Sequence, residues 1–299
     1  MNDLISVIIL TYNRFSLLSK TLHSVLKQTH NDFEIIIIND GSTDETGDLL
    51  DVFKDERIRL YNLKKQNNLA KLRNYGVQMS KGEFISFCDD DDLWETDKLE
   101  IQMTYLQNHD FICTNVKLID INDIILDTHY IKFKKSFILK TQDLLKENLV
   151  IPSSVIFRKK ILKNDKPFDE TRYINLCEDY NLWIKLSLEN DLFFLNESLA
   201  LHRTHDSWAR NYKHSREIFA NHINLSKPFL RSDNKDLKDT AYLSILNNRY
   251  YSLKYILKKK KYITFLSDLA VFIFMFKNPM YIKALIKKFK NYFSKNDID

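Results

Sequence analysis

Two hydrophobic periods alternate along residues 4–92. Leu4-Ile5-Ser6-Val7-Ile8-Ile9-Leu10 is almost continuously apolar, the signature of a strand buried on both faces of a parallel sheet. Thr11-Tyr12-Asn13-Arg14 follows, and a helix is predicted from Phe15 to Gln28, with Leu17, Leu18, Leu22, Val25 and Leu26 at helical spacing. Phe33 to Asp40 is a second buried strand and Gly41 turns the chain. Ser42 and Glu45 have the capping-box spacing that opens a helix through Leu49, Leu50 and Val52. Ile58 to Tyr61 is a short third strand, Leu69 to Met79 a helix ended by Lys81-Gly82, and Phe84 to Cys88 a fourth strand. The order β-α-β-α-β-α-β predicts an α/β fold, a Rossmann-like, mostly parallel sheet flanked by helices. Ligands of such sheets bind outside the carboxyl ends of the strands. Polar residues cluster at three of those ends: Thr11, Tyr12 and Asn13; Asp40; and Asp89 to Asp92.

Beyond Trp94 the pattern predicts a helix to about Asn108, strands at Phe111 to Asn115 and Val116 to Ile119, and an excursion from Asp120 to Lys140. A strand is expected at Pro152 to Arg158. Phe168-Asp169-Glu170 precedes a loop. Glu178-Asp179 opens a helix, where its carboxylates suit the positive end of the dipole. Leu192 to Leu195 and Leu199 to Arg203 read as two closing strands. From about Ser215 the pattern is helical. The expected division is a catalytic domain over 1–213, with a nucleotide half over about 1–95 and an acceptor half over about 96–213, and a helical extension over 214–299.

The net charge of +5 is unevenly placed, because Lys254 to Lys295 holds eleven lysines and a single acid, Asp268. These lysines alternate with large apolar residues such as Phe265, Phe272, Phe274 and Phe289. Two readings stay open for this stretch: an amphipathic surface that docks on an anionic bilayer over 250–295, or a small helical subdomain with a solvated lysine face. No base-reading module accompanies it, so no nucleic-acid partner is expected. Three scattered cysteines argue for a reducing compartment, and four glycines in all exclude a glycine-rich dinucleotide fingerprint or a P-loop. Met1-Asn2-Asp3 leads straight into a strand, so no signal peptide is expected, and no apolar run is long enough to span a membrane.

Asp89-Asp90-Asp91-Asp92 is the chemically most informative stretch. Four adjacent anions after a buried strand repel one another unless a positive group sits among them, and a divalent cation carrying a diphosphate would serve. An ordinary solvated acidic turn is the alternative.

The chain resembles glycosyltransferase family 2, with the GT-A fold, over about residues 4–210. The resemblance rests on Ser6 to Arg14, Ile38-Asn39-Asp40-Gly41-Ser42-Thr43-Asp44, Arg73-Asn74-Tyr75-Gly76, the acidic run with Trp94, Phe168-Asp169-Glu170, Glu178 to Trp183, and His202-Arg203-Thr204-His205, in the family's order. It implies that Thr11, Tyr12, Asn13 and Arg14 form the nucleotide loop and that Asp40 accepts a hydrogen bond from uracil. Arg73 would approach the nucleotide or brace the acidic motif. Asp91 would be the direct ligand of Mn²⁺ or Mg²⁺, with Asp89 or Asp90 meeting the ribose or a metal-bound water, in a register that the extra Asp leaves open by one. Asp179 would be the base, with Glu178 as the second choice. His205 would contact the diphosphate or complete the metal shell, while His202 reads as structural. Ser207 and Arg210 would close over the phosphates, and Trp94, Trp183 and Trp208 are candidates for sugar stacking or, for the first two, core packing.

The implied function is a metal-dependent inverting glycosyltransferase. It would move a sugar from a nucleotide donor, a UDP-sugar in the first instance, to a hydroxyl of a growing glycan or glycolipid in bacterial polysaccharide, capsule or lipooligosaccharide synthesis. Cytoplasmic location is expected, with peripheral attachment to the inner face of the membrane as the further option. The rivals are a non-catalytic nucleotide-sugar-binding scaffold and a nucleotidyltransferase. The second would carry a glycine-rich triphosphate loop, which this chain lacks.

Overall fold

A computed structural model describes residues 3–171, 176–204, 212–258 and 269. The chain divides into two compact units, Met1–Lys140 with Asn148–His205, and Thr141–Glu147 with Asp206–Asp299. In chain order the first unit runs β1 (Ile5–Thr11), α1 (Phe15–Leu26), β2 (Phe33–Asn39), α2 (Leu49–Val52), β3 (Ile58–Asn62), α3 (Leu69–Met79), β4 (Phe84–Asp89), β5 (Leu93–Trp94), α4 (Lys98–Tyr105), β6 (Phe111–Ile119), β7 (Ile125–Asp127) and β8 (Phe137–Leu139). The helix α5 (Thr141–Lys146) belongs to the second unit. The first resumes with β9 (Ile156–Arg158), α6 (Glu178–Leu186) and β10 (Leu192–Arg203), and the second continues with α7 (Tyr212–Ser226) and α8 (Lys235–Lys258).

Among the described residues the sheet order is β3-β2-β1-β4-β9-β6-β10-β5, with β7 paired to β6 and β8 to β10. The pairs β1–β2, β1–β4, β2–β3 and β6–β10 are parallel, and β9 lies antiparallel between β4 and β6. The apolar runs explain why β1 and β2 are interior strands: every residue of β2 is buried, and only Leu10 of β1 is not. The helix α3 packs tightly enough on β1 that a Cβ on Gly76 would stand 2.5 Å from Ile8 Cγ2. Chain order runs from β1 outward to β3 and then returns across β1 to β4, so the strand order reverses between β1 and β4. In an open α/β sheet that is where a crevice forms. The register puts Thr11 opposite Asn39, and Leu10 opposite Asp89, so three strand ends finish at one level.

Several boundaries differ from those the pattern predicts. Phe111–Ile119 and Leu192–Arg203 are each one strand. The polar residues within them are satisfied sideways: Asn115 donates to the Ile131 carbonyl, Asn196 to that of Phe133 and Ser198 to that of Thr128. Pro152–Ser154 is a 3₁₀ turn, and the strand begins only at Ile156. The capping box is also replaced. Asp44, not Ser42, caps the 3₁₀ turn Glu45–Asp48 by accepting from Thr46 N, while Ser42 Oγ accepts from Asn13 N. The helix after Trp94 is shorter than expected, Lys98–Tyr105.

In the second unit α5 and α7 pack with α8 around Leu144, Leu145, Ile223, Ala241, Ile245 and Leu246, all buried, and Ser226 Oγ donates to Ser244 Oγ at 2.9 Å. Among the described residues no helix is long and apolar enough to cross a membrane. Most of the basic stretch 250–295 lies outside the described residues, and so do His205, Ser207, Trp208 and Arg210.

Candidate active site

The loop after β1 is built on a left-handed residue. Asn13 has φ +51°, which asparagine tolerates better than most residues, and its Oδ1 accepts from Thr43 N at 2.7 Å. Phe15 N donates to Asp44 Oδ2, so the loops after β1 and β2 are stitched together. Thr11 is buried, whereas the ring of Tyr12 stands 43% exposed. Beside it Asp40 is buried at the end of β2. Its carboxylate accepts from Gln66 N at 2.6 Å and Asn67 N at 3.2 Å, and pairs with Lys65 Nζ at 3.1 Å.

The four aspartates of the acidic run have different partners. Arg14 reaches across with one nitrogen, 2.8 Å from Asp90 Oδ1 and 2.7 Å from Asp91 Oδ2. Burial pushes the Asp90 carboxyl up to about 7; Arg14 opposes the shift and Asp91 adds to it. Asp89 is pushed up to about 6, again chiefly by burial and against the pull of Arg73. Asp92 is a structural member. It is fully buried, accepting from Ser153 Oγ at 2.5 Å and Arg203 N at 2.8 Å, with His202 Nδ1 at 3.1 Å. Ser153 Oγ in turn accepts from Asp89 N, and Arg203 Nε donates to the Asp91 carbonyl. Burial works against the charge on His202, but Asp92, with Asp89 and Asp91 adding to it, lifts the imidazole to about 9.

Arg73 joins the acidic run to the Glu178-Asp179 pair. It is buried in α3, with Nε 3.1 Å from Glu178 Oε1 and a terminal nitrogen 3.4 Å from Asp89 Oδ1. Its guanidinium lies over the rings of Phe87 and Phe168, 5.2 and 6.0 Å from their centroids. The neighbouring Asn74 exchanges hydrogen bonds with the backbone of Phe168 and donates to Glu170, which fixes the Phe168-Asp169-Glu170 segment against α3. Glu178 is buried and its Oε2 has no hydrogen-bond partner among the described residues. Asp179 follows in the first turn of α6. Burial and then Glu178 push its carboxyl up to about 7, with Arg73 pulling the other way.

The structure therefore brings Thr11 to Arg14, Asp40, Arg73, Asp89 to Asp91, Glu178 and Asp179 to the carboxyl end of one sheet. Ser153 carries no signal in the sequence that ties it to this site, whereas Asp92 lies in the acidic run and Arg203 in the His202-Arg203-Thr204-His205 segment. Trp94 and Trp183 are core residues: Trp94 Nε1 donates to the Ser153 carbonyl, and Trp183 sits among Phe87, Phe111 and Phe157.

Among the described residues no group of three or more His, Cys, Asp or Glu side chains is arranged to hold a metal ion unaided. Mg²⁺-type sites need only one or two carboxylates when substrate phosphates supply the rest. Asp89, Asp90 and Asp91 offer all-oxygen donors, three carboxylates with two arginines among them, so they fit a hard divalent cation.

The model for glycosyl transferase family 2 matches residues 6–165. An uncharacterized glycosyltransferase of Rickettsia felis is 34% identical over 66% of this chain, which spans only 32% of that relative's length. The Escherichia coli protein WfgD, named UDP-Glc:alpha-D-GlcNAc-diphosphoundecaprenol beta-1,3-glucosyltransferase, is 31% identical over 66% of this chain and 75% of its own. In structure, Staphylococcus aureus TarS 1–349 in complex with UDP-GlcNAc superposes with a TM-score of 0.70 at 19% identity, over 90% of this chain and 80% of that one, a likeness of the GT-A fold. The sequence match and the strand-end site agree: the chain belongs to glycosyltransferase family 2.

Proposed function

We propose that the protein transfers a hexose from a UDP-sugar to a hydroxyl of a lipid-linked glycan, with inversion at the anomeric carbon. The observation that carries this reading is the single side chain of Arg73, which spans from the donor-side carboxylate Asp89 to the Glu178-Asp179 pair. Donor and acceptor machinery are thereby held one guanidinium apart.

Tyr12 and Asp40 offer a stacking face and an acceptor for the base. Asp91 would hold Mn²⁺ or Mg²⁺, with Asp89 and Asp90 toward the ribose or a metal-bound water. The bound ion would stabilise negative charge on the departing diphosphate. Arg14, already on Asp90 and Asp91, balances their charge in the free protein and can turn to the phosphates once the ion shares them. Asp179 takes the proton of the acceptor hydroxyl as its oxygen bonds to the anomeric carbon. The bond from that carbon to UDP breaks, and the electron pair leaves with UDP. A carboxyl raised to about 7 is well matched to this exchange near neutral pH. Arg73 orients Glu178 and steadies the base.

The name of the E. coli relative supports this acceptor class, and a polyisoprenyl diphosphate acceptor would put the work at the cytoplasmic face of a membrane, with the lysine-rich 250–295 stretch as the contact. The test is a transfer assay with full-length protein, a panel of UDP-sugars, GlcNAc-diphosphoundecaprenol and Mn²⁺, read by mass spectrometry. A product one hexose heavier supports the reading. UDP-stabilised protein that transfers to no glycolipid would overturn the acceptor class, and protein that no nucleotide stabilises would overturn the donor.

A further inference from the structure

Among the described residues twelve large hydrophobic side chains are exposed, and six of them fall between residues 121 and 133. They are Ile121, Ile124, Ile125, Leu126, Tyr130 and Phe133, each 42% to 59% exposed. The first four lie on the hairpin of β6 and β7, and the other two on the segment that follows it. Asp123, at φ +67°, helps turn the hairpin, and β7 pairs with β6 alone among the described residues. An apolar edge strand left in water invites association, so a cluster of this kind marks a surface that something covers.

Charge says what covers it. Residues 128–140 hold four lysines and no acid, and Lys132, Lys134 and Lys135 are exposed on either side of Phe133. The three acids of the hairpin are engaged locally. Asp120 Oδ1 accepts from Asn122 N and Ile124 N, Asp123 pairs with Lys20 and Arg203, and Asp127 pairs with Lys132. Exposed aliphatics flanked by lysines and aromatics suit the headgroup boundary of an anionic bilayer. In a two-fold contact with a second copy the same lysines would face one another. Position adds to charge. Arg203, whose side chain is fully buried, donates through Nε to the Asp91 carbonyl at 2.7 Å and through Nη1 to the Asp120 carbonyl at 2.6 Å. The base of the hairpin is therefore one side chain away from the acidic run.

We propose that the hairpin 120–127, with the lysine strip 128–135, docks on an anionic lipid bilayer and presents the neighbouring acidic run to an acceptor anchored there. The inference rests on the lipid-linked acceptor proposed above, and it puts a membrane contact within the first unit, apart from the 250–295 stretch. The aliphatic side chains enter the headgroup boundary, and the lysines meet lipid phosphates.

Co-sedimentation of the full chain with vesicles tests this, using pure phosphatidylcholine and a mixture of phosphatidylcholine with phosphatidylglycerol. The variants are Ile124→Thr/Ile125→Thr/Leu126→Thr, which keeps strand-forming side chains, and Lys134→Glu/Lys135→Glu, with melting temperature as the folding control. The wild type should prefer the mixed vesicles, and the preference should weaken as salt rises. The lysine variant should bind them about twentyfold or more weakly, and the aliphatic variant about tenfold or more weakly. Transfer to GlcNAc-diphosphoundecaprenol in those vesicles should fall through a higher KM. Transfer to a water-soluble GlcNAc-diphosphate on a short alkyl chain should be unchanged in both variants. Vesicle binding that either variant leaves unaltered would overturn the inference. So would a wild-type dimer that the aliphatic variant converts to monomer in light scattering, since a second copy would then cover the patch. A wild type that transfers to the soluble acceptor yet ignores vesicles overturns the docking alone. A wild type that docks through the hairpin but transfers to neither acceptor overturns the acceptor reading and, with it, the purpose assigned to docking.

Discussion

Arg73 Nε lies 3.1 Å from Glu178 Oε1, although the two residues are 105 positions apart in the chain. Both side chains are almost fully buried, at 6% and 3% exposure. Removing one partner of such a pair leaves the other as an uncompensated buried charge, which costs about 3 kcal/mol or more. Arg73→Met should therefore lower stability by that order in urea unfolding and abolish transfer. The double variant Arg73→Met/Glu178→Leu should regain much of the stability and none of the activity. Recovery of activity in the double variant would show that the pair serves folding alone.

Asp179→Asn should lower kcat by about a hundredfold to ten-thousandfold while leaving the UDP affinity intact, as loss of a general base does. Burial and Glu178 raise the Asp179 carboxyl to about 7, so the basic form accumulates as pH rises through that value. In the wild type kcat/KM should climb across an acid limb near pH 7, and this limb should be absent from the residual activity of Asp179→Asn. An unchanged limb in the variant would move the base to another group, with Glu178 first in line.

Arg14 occupies both Asp90 and Asp91 in the protein without ligands. It competes for the oxygens a cation would use. Arg14→Ala should lower the melting temperature of the EDTA-treated protein and enlarge the upward shift that Mn²⁺ alone produces. Asp91→Ala should remove the Mn²⁺ shift altogether. Thermal melts in EDTA, Mn²⁺, and Mn²⁺ with UDP check all three statements, and a Mn²⁺ shift unaffected by Asp91→Ala would transfer the ion to other ligands.

His202 contributes a pH-dependent term to stability. Against the pull of burial, Asp92 with Asp89 and Asp91 raises its folded pKa to about 9, above the ordinary value of 6.5. Between those two values the folded state holds a proton that the unfolded state has lost, so stability falls as pH rises. The contribution is fully present below 6.5 and gone above 9. In EDTA, His202→Gln should unfold at a temperature that varies less between pH 6.5 and 9 than the wild type does, measured by calorimetry. Identical slopes would mean that the imidazole is not charged against Asp92.

The order of elements from β1 to β4, the burial of β1 and β2, both ends of α3 and the convergence of Thr11, Asp40 and the acidic run were legible in the sequence. Each depends on local periodicity or on strand ends that the topology must bring level. The family resemblance pointed to Arg73, Glu178 and Asp179, and the fold brings Arg73 into contact with Glu178. The tertiary structure alone decided how the four aspartates share their neighbours. Arg14 goes to Asp90 and Asp91, Arg73 to Asp89, and Ser153, His202 and Arg203 to Asp92. It also decided that Ser42 ties loops together instead of capping a helix, and that Lys65 faces Tyr12 and Asp40. The physical reason is the range of the interaction. Hydrophobic period is written into neighbouring residues, whereas a buried charge takes whichever opposite charge or donor the folded chain delivers from a distant element.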